Sequence, residues 1–68
     1  MNNQHLSNSE KKLLDREDVR ELLKIGKTKM QELISLNVIP FTKVGSHYYI
    51  TETDFYKWIS SNAGKVVF

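Results

Sequence analysis

Residues 25–35, IGKTKMQELIS, decide the fold. Met30, Leu33 and Ile34 fall at the spacing of one helical face, while Lys27, Thr28, Gln31, Glu32 and Ser35 occupy the rest of the circumference. The stretch predicts a short helix with a dry side and a polar, partly basic side. Immediately before it, Val19, Leu22 and Leu23 repeat the spacing, and only Lys24, Ile25 and Gly26 separate the two apolar sets. Two helices joined so tightly must cross at a steep angle.

The same grammar occurs three times along the chain: an apolar residue, a cap candidate, three polar positions, then apolar residues in one fixed pattern. The copies are Leu14-Asp15 with Val19, Leu22 and Leu23; Ile25-Gly26 with Met30, Leu33 and Ile34; and Ile50-Thr51 with Phe55, Trp58 and Ile59. Each fits a hydrophobic staple across a helix N-cap, in which the residue before the cap packs on the fourth helical residue. Asp15 is the strongest cap, with Asp18 as its reciprocal partner. Gly26 is the weakest, because glycine offers no side-chain acceptor. Helices are expected at about 16–24, 27–36 and 52–61, the second closed by Asn37 in the left-handed conformation.

Between the second and third helices, Val38, Ile39 and Pro40 lead out in extended form, and FTKVGSHYYI (41–50) is a hairpin signal. A two-residue Gly45-Ser46 loop pairs Val44 with His47. A three-residue loop pairs Val44 with Tyr48, and this is the expected register because it turns Thr42, Val44, Tyr48 and Ile50 inward and leaves Lys43, His47 and Tyr49 outside. Tyr48, Phe55 and Trp58 are assigned to the core.

The chain's 68 residues make one small domain with room for a modest core. Residues 1–12, rich in Asn, Gln, Ser and Lys, are expected to form a flexible arm, 13–60 the folded domain, and 61–68 a tail whose Val66, Val67 and Phe68 can dock on this domain or on another copy. There is no cysteine, which excludes disulfides and thiolate chemistry. No apolar run is long enough for a membrane span or signal peptide, so a cytoplasmic protein with no membrane partner is expected. The net charge of +2 leans basic. From Lys27 to Tyr49 the charged side chains are Lys27, Lys29, Lys43 and one acid, Glu32, so any positive face should be built by the second helix and the segment after it.

The ordered set of two tightly joined helices, a hairpin with glycine at its tip and a third helix carrying Trp58 resembles the excisionase-like helix-turn-helix domains. These are small winged-helix proteins related to the DNA-binding part of MerR regulators. The resemblance spans about Leu13 to Ile59 and rests on Leu14, Val19, Leu22, Leu23, Met30, Leu33, Ile34, Ile39-Pro40, Val44-Gly45, Tyr48, Ile50, Asp54 and Trp58. It implies a mainly α winged helix-turn-helix fold that binds double-stranded DNA near the nucleoid, the second helix in the major groove and the hairpin against the adjacent backbone or minor groove. By position, Lys27, Thr28, Lys29, Gln31 and Glu32 would face DNA from the helix, and Lys43, Ser46, His47 and Tyr49 from the wing. Where the family often has a capping serine, an aromatic-arginine pair and wing arginines, this chain has Gly26, Gln31-Glu32 and Ser46-His47, which implies a weaker electrostatic grip.

Lysines there would contact phosphate, and about five such contacts give a log-log salt slope of roughly −4 to −5. Gln31 can pair with an adenine edge, Glu32 can accept from cytosine or instead pair with Lys29 or Arg20, and the Thr28 methyl can touch thymine. Tyr49 can donate to phosphate or pack on its cross-strand neighbour. Neither His5 nor His47 has the partners of a metal or catalytic site, so no cofactor and no enzyme activity are expected. The functions that fit are an excisionase-like factor working with an integrase or adjacent copies of itself, or a transcriptional regulator of a phage or mobile element. Alternatives on the same scaffold are a phage DNA-packaging subunit and a protein-interaction module.

Overall fold

The computed structural model describes residues 12–67, in the order β1 (Leu13–Asp15), α1 (Arg16–Leu23), α2 (Lys27–Ser35), β2 (Thr42–Val44), β3 (His47–Thr51) and α3 (Glu52–Ser61). Residues 1–11 and Phe68, and with them nearly all of the expected arm, lie outside the described residues.

All three helix starts are where the repeated pattern puts them. The Asp15 carboxylate accepts from the Asp18 N–H at 2.8 Å while the Asp18 carboxylate accepts from the Asp15 N–H at 3.0 Å, so two otherwise orphaned donors are satisfied reciprocally. Thr51 Oγ1 accepts from the Asp54 N–H at 3.1 Å. Gly26 starts α2 with no side-chain cap bond.

Both α1 and α2 end on a left-handed residue, Lys24 at φ 58° and Asn37 at φ 57°. At the first, Lys24 and Ile25 N–H groups donate back to the Glu21 and Arg20 carbonyls; at the second, Asn37 and Val38 donate to Ile34 and Leu33. This paired closure is the Schellman arrangement. Asn37 is a residue type suited to it, whereas Lys24 is not, because a lysine carries a Cβ penalty there. Beyond α2, the Phe41 N–H donates to the Ile39 carbonyl at 2.7 Å, a tight γ-turn centred on Pro40 that swings the chain into the hairpin.

The sheet is antiparallel, ordered β1-β3-β2, with Leu14 opposite Ile50 and Asp15 opposite Tyr49. Its hairpin corrects the expected register: Val44 pairs with His47, Lys43 with Tyr48 and Thr42 with Tyr49, across a two-residue Gly45-Ser46 loop. Gly45 at φ 63° followed by Ser46 outside the positive region has the sign pattern of a type II′ turn, whose twist matches the strands. The gain lies in the residue turned inward. In this register Phe41 faces Tyr48, ring edge to ring face at 5.8 Å, and packs against the core, while Val44 is left 56% exposed. Burying the larger phenyl ring outweighs burying the valine.

Leu14, Val19, Met30, Leu33, Ile39, Ile50 and Phe55 form the buried core. Each staple pair is therefore drawn inward, Leu14 with Val19 and Ile50 with Phe55 completely, and Ile25 partly against buried Met30. The inner stripe is narrower than the spacing suggested, since Leu22 and Ile59 are exposed and Tyr48 and Trp58 are half-buried. Val67 returns to the domain and lines an apolar groove with Leu23, Ile25, Leu33, Trp58 and Ile59. The fold is mainly α with a small β-sheet, a winged helix-turn-helix, and no helix among the described residues is long and apolar enough to cross a membrane.

Candidate nucleic-acid interface

With Met30 and Leu33 buried and Ile34 half-buried, the geometry of α2 fixes what its remaining residues can do. Thr28, Gln31, Glu32 and Ser35 are exposed on the side away from the core, and Lys27 and Lys29 lie on opposite flanks of that side. Lys27 and Gln31 border a depression shared with Arg16, Glu17 and Arg20 of α1. Lys29 instead lines the apolar groove beside Trp58 and Ile59, with Nζ 3.9 Å from the Glu32 carboxylate. Of the two partners open to Glu32, Lys29 is therefore the one found. Both side chains are about half exposed, so this is a weak surface pair.

On the other side of the first turn of α1, Ser46, His47 and Tyr48 border a second depression with Asp15, Arg16 and Glu17. The two depressions share Arg16 and Glu17, so one flank of α2 and the hairpin tip are joined through α1. Arg16 of the first helix thus lies beside the second helix and the wing, accompanied there by the acids Asp15 and Glu17. The signal is present as the i, i+4 spacing of Arg16 and Arg20, obscured by the interspersed acids Glu17, Asp18 and Glu21.

The register divides the other wing residues. Lys43 is on the helix side of the ribbon, its Nζ 5.7 Å from the centre of the Tyr48 ring. His47 and Tyr49 stand on the opposite side with Thr42 and Val44, their rings 6.2 Å apart. The expected grouping of Lys43, His47 and Tyr49 on one face is thus corrected by the same two-residue turn. Tyr49 lines a separate, largely apolar groove on the outer face of the sheet with Leu13, Pro40, Thr42, Val44 and Asp54.

Electrostatically, the α1–α2 depression centres on Glu17. Arg20 Nε donates to its carboxylate at 3.0 Å, and Arg20 Nη2 contacts the same oxygen. That hydrogen bond, joined by the positive charges of Arg20, Lys27 and Arg16, holds the Glu17 carboxyl below its ordinary range, and the same bond holds Arg20 above its own. Among the described residues no cluster of three His, Cys, Asp or Glu side chains could hold a metal ion.

A surface of this kind, with an exposed second helix, a glycine-tipped ribbon and an arginine-bearing junction, can bind a polyanion and read it through Gln31 and Thr28. No curated protein and no solved structure matches the chain. A family model described as a helix-turn-helix domain matches residues 13–63, from β1 to just past α3. The chain belongs to the helix-turn-helix domain family.

Proposed function

We propose that this chain binds double-stranded DNA, with α2 in the major groove and the hairpin tip against the adjacent backbone or minor groove. The observation that carries this reading is the shared lining of the two depressions, in which Lys27 and Gln31 on one side and Ser46 and His47 on the other meet at Arg16 and Glu17. Family membership supports it independently. Lys27, Lys29 and Lys43 supply phosphate contacts, Ser46, His47 and Tyr49 position the wing, and Thr28, Gln31 and Glu32 read base edges. Catalysis plays no part in this reading.

The finer role within it is that of an excisionase-like factor or a small regulator of a phage or mobile element, acting near the nucleoid. Selection of bound duplexes from a random pool at low and moderate salt tests both levels. Emergence of a motif supports sequence-specific binding; direct repeats favour the excisionase-like role and inverted repeats a dimeric regulator. Absence of any enriched motif, together with no salt-dependent binding of any duplex, ends the DNA reading.

One observation favours an additional protein contact. The outer face of the sheet exposes Leu13 by 50% and Val44 by 56% along one groove, and such a patch fits an integrase or an adjacent copy bound to the same DNA.

A further inference from the structure

Arg20 has its guanidinium tied down on several sides. Nε and Nη2 meet the Glu17 carboxylate, and Nη1 donates to the Ile25 carbonyl at 3.0 Å. Glu17 in turn lines a depression whose other ionisable groups are Arg16, Arg20 and Lys27, so a single acid faces three cations. Lys27 has no salt-bridge partner among the described residues. A carboxylate in that position presents what a phosphodiester would present: one negative charge and oxygens that the guanidinium fork can grip.

Resting on the DNA-binding reading above, we propose that Arg16, Arg20 and Lys27 form a phosphate-binding site at the α1–α2 junction, and that Glu17 is its internal competitor. The two side chains are unequally held. The Glu17 side chain is 54% exposed and, among the described residues, bonded only through Arg20, whereas the Arg20 side chain is 22% exposed and also anchored to the Ile25 carbonyl. When a DNA backbone reaches the depression, the acid rotates out and the guanidinium stays in place. Exchange is easy because an exposed ion pair of this kind is weakly held. The consequence is a lower sequence-blind affinity than the cations alone would give, which leaves more of the binding to base contacts at the correct site.

The test is fluorescence anisotropy of a labelled mixed-sequence duplex over a range of salt, with wild type, Glu17→Gln, Arg20→Gln and the double variant, each checked for folding by circular dichroism. Glu17→Gln should bind about three- to tenfold more tightly, with a salt slope steeper by about one, and most of that gain should vanish when Arg20→Gln is also present. Unchanged or weaker binding by Glu17→Gln, or an equal gain in both backgrounds, overturns the competitor role while leaving DNA binding standing. If wild type binds no duplex even at low salt, the DNA reading fails and this one with it. A readout on the unaltered protein is the Arg20 Nε–H and Glu17 carboxyl resonances during duplex titration. Movement of both supports the exchange, and silence of both while α2 amides shift overturns it.

Discussion

Arg20 and Ile25 hold each other twice. The Ile25 N–H donates to the Arg20 carbonyl at 3.2 Å, and Arg20 Nη1 donates back to the Ile25 carbonyl at 3.0 Å. Between them Lys24 takes the left-handed turn, so one side chain fixes the angle at which α2 leaves α1. Arg20→Ala should therefore lower the melting temperature modestly and shift the backbone amides of residues 25–28 in a heteronuclear NMR spectrum. Shifts confined to α1 would show that the turn holds its angle without the guanidinium.

Glu17 should titrate below its ordinary 4.5, because Arg20 stabilises its charged form. The folded carboxyl being the more acidic, its contribution to stability is present above the unfolded value and is lost as pH falls through the folded one. Arg20→Gln should return the Glu17 carboxyl carbon titration toward the ordinary midpoint. A wild-type midpoint at or above 4.5 contradicts the pairing.

The two-residue hairpin register predicts opposite sensitivities at neighbouring strand positions. Phe41→Ala should destabilise by about 1–3 kcal/mol, and Val44→Thr should stay within about 0.5 kcal/mol of wild type in urea unfolding. Gly45→Ala should cost about 1 kcal/mol, since Gly45 sits at φ 63°. A large loss at Val44 with none at Phe41 would restore the three-residue loop.

Gly26 adopts φ −81° and ψ 173°, a conformation open to any residue, and a Cβ there meets nothing within 4 Å. Gly26→Ser should stabilise by about 0.5–1 kcal/mol, by supplying the missing cap acceptor and restricting the unfolded chain. A loss of stability would mean that the start of α2 needs glycine for a reason other than its backbone geometry.

The helix limits are legible because each start is written twice, once in the cap residue and once in the staple, as with Asp15 beside Leu14 and Val19. The hairpin register is not, since alternation fits either loop length and the choice turns on whether Phe41 or Val44 faces inward, which depends on what lies across the sheet. Arg16 is hidden for a different reason. Its sequence neighbours Asp15, Glu17 and Asp18 are all acidic and mask it, and only the folded geometry shows that the first turn of α1 stands between α2 and the wing tip. Lys24 in the left-handed region carries no local signal at all; it is held there by the Arg20 and Ile25 bonds around it.

The most direct test is amide chemical-shift mapping while a duplex bearing the selected site is added to uniformly labelled protein. Perturbations should concentrate at residues 16–20, 27–32 and 43–49, leaving Leu23, Trp58 and Val67 unaffected. Perturbations centred on these three residues or on the outer sheet face, with the α1–α2 junction silent, would contradict a DNA surface joined through Arg16.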